Sequence, residues 1–355
     1  MKNYLFCALL ILVMVGCGNS TKYTISSSAE QLAGMEMAYL GIEEGRELKF
    51  VDSVAIVGNS FRMTGEVTEP YPAYITFRDA SGEWGERIRT FVEAGDIEIV
   101  QKLGALRAVG TPYNDRSTAV RVRVDEMFAE ARAEGSEDLT PILTYYYSAV
   151  KENAGDMVGW DLFQNHHFLF KPQQTLDMIN VMPESKQETF AKHKKFAERA
   201  LKVEPGNPYI DITDQGDSKG KRSLTPEGKV LTLKSVVENP RNRYVLLEFW
   251  ASWCGPCMAD APNLVAAYDK FHKQGFEIYA VSFDGDRDSW LKAIKENGLR
   301  WLHVSSLTSW STQSRIDYAV NGIPTNFLID CATGKIIAKD LREMALGEKL
   351  EELYK

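Results

Sequence analysis

Cysteine and histidine are scarce in this chain, five of each in 355 residues. So few cysteines do not make a disulfide scaffold, and a chain of this length has ample core without one. A structural zinc site needs four ligands, commonly two Cys-x-x-Cys pairs or one pair with spaced histidines. Only one pair is present, Cys254-Gly-Pro-Cys257; His166 and His167 are adjacent, and His193, His272 and His303 are scattered. Zinc is thereby set aside, and no cofactor is expected. Basic tracts are also missing. Lys and Arg number 41 against 49 Asp and Glu, a net charge of −8, which argues against nucleic acid as a partner. No internal repeat is visible, and no stretch holds the ~20 apolar residues of a membrane-spanning helix.

What is present begins at the amino end. Lys2 supplies a positive charge, and residues 4–15 form an apolar run of the length found in secretory signals. The run ends in Met14-Val-Gly-Cys17, which resembles the lipobox of bacterial lipoproteins, with Met where Leu is more usual. That resemblance implies cleavage before Cys17, acylation of its sulfur and attachment to a membrane through lipid. Cys7 would leave with the signal. Cys254, Cys257 and Cys331 would then lie in an extracytoplasmic space, where disulfides persist.

The hydrophobic period changes twice along the rest of the chain. Residues 18–29 are rich in Ser and Thr and read as a tether after the 1–17 signal. Residues 30–113 alternate in short runs such as Val54-Ala-Ile-Val-Gly58 and Ala73-Tyr-Ile-Thr-Phe77, the period of a small antiparallel β-domain. Residues 114–204 carry apolar positions at helical spacing with charged faces, as in 118–135 and 187–202. Val203-Glu-Pro-Gly-Asn-Pro208 breaks that pattern. From residue 205 to 355, strands and helices alternate, which implies an α/β sheet covered on both faces. Its clearest strand, Tyr244-Val-Leu-Leu-Glu-Phe-Trp250, is a nearly continuous apolar run.

The cysteine pair follows that strand directly. Only a thiolate attacks a disulfide, and a cysteine at the start of a helix gains from the helix dipole and free N–H groups. Pro256 suits a first helical turn, where its missing N–H is not needed. One turn on, Cys257 is within reach of Cys254 and can resolve a mixed disulfide formed there. A plain structural disulfide remains the alternative. Glu248 interrupts the apolar strand on the side shared by Leu246 and Trp250. A buried carboxyl there is costly, and desolvation would raise its pKa towards neutrality.

Residues 205–355 resemble the thioredoxin superfamily, specifically the membrane-tethered TlpA/ResA-like thiol-disulfide oxidoreductases. The resemblance is carried by Leu246-Leu-Glu-Phe-Trp-Ala-Ser-Trp-Cys-Gly-Pro-Cys257, Pro262, Gly322-Ile-Pro-Thr325 and Phe327-Leu-Ile-Asp330. It implies a thioredoxin fold with Cys254 as nucleophile and Cys257 as resolving thiol. Glu248 takes the place of the buried acid that relays the resolving thiol's proton, where thioredoxins have Asp. Trp253 would shape the surface beside the nucleophile. Ile323-Pro324 would be the cis-proline loop that pairs with a substrate strand. Protein thiols and disulfides are the implied substrates, with a membrane electron donor upstream. Residues 52–77 and 109–115 are similar, more loosely, to a β-domain of unknown function that precedes such modules in Gram-negative lipoproteins. The periplasm-facing envelope of such a bacterium is therefore the expected location.

Two other functions compete. The same fold hosts peroxiredoxins, but these place their attacking cysteine after Pro-x-x-x-Thr/Ser-x-x, and Phe249-Trp-Ala-Ser-Trp-Cys254 has no such proline. A binding or scaffolding lipoprotein with a thioredoxin module attached is the second. Trp250, Pro262, Cys331, the His166-His167 pair and the Tyr145-Tyr-Tyr147 run are expected to be packing or spectator residues.

Overall fold

The computed structural model describes residues 21–45, 47–212 and 222–355; the apolar run and Cys17 lie outside them. The chain divides into two compact units, one of residues 1–170 with 181–183, the other of 171–180 with 184–355.

The first unit is built on eight strands: β1 (Lys22–Ser27), β2 (Met35–Glu44), β3 (Glu47–Ala55), β4 (Phe61–Glu66), β5 (Tyr71–Asp79), β6 (Ile88–Val92), β7 (Gly95–Lys102) and β8 (Ala105–Val109). They form two four-stranded sheets, ordered β4-β1-β7-β8 and β3-β2-β5-β6. Ile25, Leu40, Ile75 and Ile97 are fully buried in their shared core. All strand pairs are antiparallel except β1 with β7, which run parallel.

The tether expected over residues 18–29 is corrected by β1, an inner strand of its sheet. Its Ser and Thr residues suggested a linker, but their hydroxyls find partners inside the sheet: Ser27 Oγ donates to Ile99 O at 2.7 Å. The helices expected from residue 114 begin at Pro112. Three helices belong to this unit: α1 (Pro112–Glu134), α2 (Thr140–Glu152) and α3 (Met157–His166). Asn114, 1% exposed, welds α1 to β6. Its Oδ1 accepts the Phe91 N–H at 2.9 Å and its Nδ2 donates to Phe91 O at 2.7 Å and Thr111 Oγ1 at 2.8 Å. Buried Glu93 accepts the Tyr113 N–H at 2.8 Å, placing an anion at the positive end of α1. On α3, buried Asp161 pairs with Arg89 of β6. His166 accepts or donates a 2.7 Å bond with Tyr146 Oη, a packing role.

The second unit opens with α4 (Pro172–Val181), α5 (Glu184–Thr189) and α6 (Ala191–Leu201), followed by the short α7 (Leu233–Val237). Then come β9 (Tyr244–Trp250), α8 (Gly255–Phe271), β10 (Phe276–Ser282), α9 (Arg287–Glu296), β11 (Leu302–Ser305) and α10 (Gln313–Asp317). β12 (Thr325–Asp330), β13 (Lys335–Lys339) and α11 (Met344–Leu353) complete it. The sheet order is β11-β10-β9-β12-β13. β9, β10 and β11 are parallel, while β12 and β13 run antiparallel to their neighbours. This is the thioredoxin-like fold. β9 sits at its centre, and every residue from Val245 to Trp250 is buried, which is why the strand reads as an apolar run broken only by Glu248.

Replacing Asn114 by Ala should strand the buried Phe91 N–H and C=O and cost roughly 2–4 kcal/mol. Urea unfolding monitored on the first unit checks this; a loss below the error of the extrapolation would remove Asn114 as the weld.

Candidate active site

Chain direction and sheet order bring the catalytic candidates to one end of β9. The chain leaves Trp250, turns through Ala251-Ser-Trp253 and enters α8 at Gly255. The turn is anchored by Asp284, 1% exposed. Its carboxylate accepts the Ser252 N–H at 3.0 Å and the Ser282 hydroxyl at 2.7 Å. Asp284 carried no sequence signal, since its partner lies 32 positions away.

Cys254 is the N-cap of α8, with an extended backbone. The Cys257 N–H points at its sulfur over 3.2 Å. This is the orphan donor of a first helical turn, aimed where charge develops on the Cys254 thiolate. The two cysteines form a disulfide with a Cα–Cα separation of 5.2 Å. Both are nearly buried, while Trp253 beside them is 53% exposed. The Trp253 ring lies 6.2 Å from that of Trp310, a neighbour that sequence reading missed.

Ile323-Pro324 is a cis peptide. Thr325, the next residue, pairs with Phe249 across the sheet. The proline loop therefore lies at the end of β9 from which the cysteine turn departs.

Glu248 lies below, 3% exposed, between Ala280 of β10 and Asn326 of β12. Desolvation pushes its carboxyl up to about 8, against the opposing pull of the Arg342 guanidinium and the Asn326 amide; Asp260 and Asp340 push it further up. Glu248 Oε2 has no hydrogen-bond partner among the described residues. It shares with Cys257 a cavity of about 10 Å³, lined also by Trp250, Asp260, Ala280 and Trp301. That volume is about one water molecule. Sequence reading found Glu248 but not Trp301 or Arg342, which reach it from other elements.

Cys331 stands apart, after β12, and is the free thiol among the described residues. Burial pushes its thiol up to about 12. No group of three or more His, Cys, Asp or Glu residues among the described residues is arranged to hold a metal ion.

Comparison with known proteins shows the family of the second unit. A family model described as Thioredoxin-like matches residues 242–336. Over 125 residues the chain is 31% identical to the thiol-disulfide oxidoreductase ResA of Bacillus cereus, covering 35% of this chain and 67% of that one. The chain belongs to the ResA/TlpA-like thiol-disulfide oxidoreductases of the thioredoxin superfamily. It is also 31% identical over 111 residues to the thiol:disulfide interchange protein HelX of Rhodobacter capsulatus, covering 30% of this chain and 59% of HelX. A solved thiol-disulfide oxidoreductase from Bacteroides fragilis shares 39% identity over 37% of this chain and 95% of its own, with a TM-score of 0.34. Residues 23–117 match a second family model, Domain of unknown function (DUF4369). This oxidoreductase thus carries its redox module behind a β-rich unit whose family has no assigned activity.

The Glu248 carboxyl binds its proton more tightly in the folded state than at its ordinary value of 4.5. The folded state then holds more protons than the unfolded one between pH 4.5 and about 8, so wild-type stability falls as pH rises through that window. Glu248→Gln lacks this slope. The oxidised variant should match the wild type near pH 4 and exceed it by on the order of a few kcal/mol at pH 9, because each tenfold gain in proton affinity on folding is worth about 1.4 kcal/mol. Denaturant midpoints across that range measure the difference; parallel curves would mean that Glu248 is not held neutral.

Proposed function

We propose that this enzyme exchanges disulfides with extracytoplasmic proteins and runs in the reducing or isomerising direction. The observation that carries disulfide exchange, as distinct from its direction, is the Cys257 N–H aimed at Cys254 Sγ at the start of α8. It favours a thiolate on Cys254, which attacks a substrate disulfide and releases one substrate thiolate. Cys257 then loses its proton and attacks Cys254 Sγ. The second substrate thiolate leaves, and the Cys254–Cys257 disulfide forms. Two electrons pass to the substrate.

Glu248 is the acceptor we assign for the Cys257 proton. The shared cavity supports this, because one water molecule there would bridge carboxyl and thiol. A carboxyl pushed to about 8 is matched to proton exchange near neutrality. Trp253, Ile323 and Pro324 are the proposed substrate contacts. Exposure of Trp253 and the position of the proline loop support that assignment. Lipid on Cys17 would hold the enzyme at the periplasmic face of the envelope, within reach of a membrane electron donor.

The reducing direction follows from the charges near the pair. Strong oxidants owe their potential to a stabilised reduced thiolate. Here Asp260 faces the cavity beside Cys257 together with Glu248, whose carboxyl is held largely neutral near pH 7 by burial, and no His lies between the cysteines to stabilise the thiolate. Equilibration with glutathione should give a potential near thioredoxin's, around −270 mV, and far from the roughly −120 mV of DsbA. A value at the oxidising end overturns the direction.

Substrates themselves are read by trapping. Cys257→Ser should accumulate proteins linked to Cys254 by disulfides, and Cys254→Ser should accumulate none. Equal yields from both variants, or peroxide consumption without any trapped protein, would replace disulfide exchange by another function.

A further inference from the structure

The segment between β13 and α11, Asp340-Leu-Arg-Glu343, is held in an unusual shape. Asp340 and Glu343 adopt φ of 53° and 52°, a region that residues with side chains seldom occupy. Hydrogen bonds fix both ends of the segment. Asn326, fully buried on β12, donates through Nδ2 to Leu341 O at 2.8 Å and accepts the Leu341 N–H at 2.9 Å. The Asp340 N–H donates to Asn326 O at 2.9 Å. At the other end, Asp260 of α8 accepts the Glu343 N–H at 3.0 Å. Both clamps belong to elements that also surround Glu248.

The clamped segment presents Arg342 to the site. Its Nη2 donates to the carbonyl oxygen of Pro324, and its Nη1 lies 4.0 Å from Glu248 Oε1. Asp340 Oδ1 is 3.7 Å from Nη2. One guanidinium thus bonds to the proline loop through Nη2 and faces the buried acid across 4.0 Å through Nη1, which makes no hydrogen bond of its own among the described residues.

We propose that Arg342 is a positioning residue of the exchange reaction, joining the Pro324 loop and the Glu248 carboxyl through one guanidinium so that Glu248 can carry charge where it is buried. The role rests on Glu248 as proton acceptor. Burial strongly disfavours the carboxylate, and a cation at this distance is the main influence that offsets it. Arginine keeps its charge at every working pH, so the offset does not titrate away. The groups facing Glu248 among the described residues are few. Cys257 and Asp260 come from α8, Asn326 from β12, and Asp340 and Arg342 from the clamped segment, while β10 contributes only Ala280. Arg342 is the sole cation among them. Its bond to Pro324 also fixes the carbonyl of the loop on which a substrate strand would dock.

The test uses the whole mature protein and the variants Arg342→Met, Arg342→Gln and Arg342→Lys, each alone and with Glu248→Gln. Carbon NMR of the Glu248 carboxyl in the oxidised state reads its titration directly. The resolution rate of a glutathione mixed disulfide on Cys254, measured from pH 5 to 9, reads the consequence. Met and Gln should move the carboxyl midpoint, and the rate profile with it, upward by on the order of one pH unit. Lys should restore most of the midpoint. The Gln variant retains a donor for the Pro324 carbonyl and guards against loss of fold in the Met variant. In the Glu248→Gln background, none of the three should move the rate profile. A carboxyl midpoint unchanged in folded Arg342→Gln overturns the role of Arg342. Wild-type resolution by Glu248→Gln would instead overturn the role of Glu248, and the carboxyl titration would still report whether Arg342 governs its charge.

Discussion

A single buried carboxyl constrains the whole redox end of the molecule. Glu248 occupies the central strand with 3% exposure, where the charged form is strongly disfavoured. A neutral strand residue would pack there without cost. The surroundings are arranged around the acid instead: Arg342 on one side, a small cavity on the other, and Asn326 opposite. The cysteine turn could be built without any of these. On the proposed mechanism, their convergence on one carboxyl is what favours a redox couple over a structural disulfide.

Much of this end was legible in the sequence, because its signals are local. Cys254, Pro256 and Cys257 share one helical turn, and Glu248 shows itself as a polar interruption in an apolar strand. The pairing of Thr325 with Phe249 shows why the proline loop belongs to the same site, although no local pattern connects the two. Arg342 stayed hidden for that reason. Glu343 and Asp260 bond across 83 positions of sequence, and the value of Arg342 depends on a backbone shape that periodicity does not report. Asp284 was hidden likewise.

The amino-terminal unit was misread for a different physical reason. Composition marked residues 18–29 as a linker, yet Tyr23 and Ile25 alternate inward and Ser27 satisfies its hydroxyl on a neighbouring strand. A polar strand inside a sheet looks like a tether when its partners are unknown. The helices were separated from the β-domain on period alone. Asn114 shows that a change of period need not be a change of folding unit, since its side chain completes β6 as though it were part of the sheet.

Cys331 gives the protein a property that no catalytic residue supplies. With its thiol pushed up to about 12, its thiolate fraction at neutral pH is on the order of one part in 10⁵, and only a thiolate attacks. Of the three cysteines in the described part of the enzyme, two are therefore left to store electrons, one pair per turnover. A docked substrate disulfide would then meet one nucleophile, and the stored electron pair would have no ready competitor among the described cysteines. Burial of the third cysteine thus disfavours its entry into the exchange.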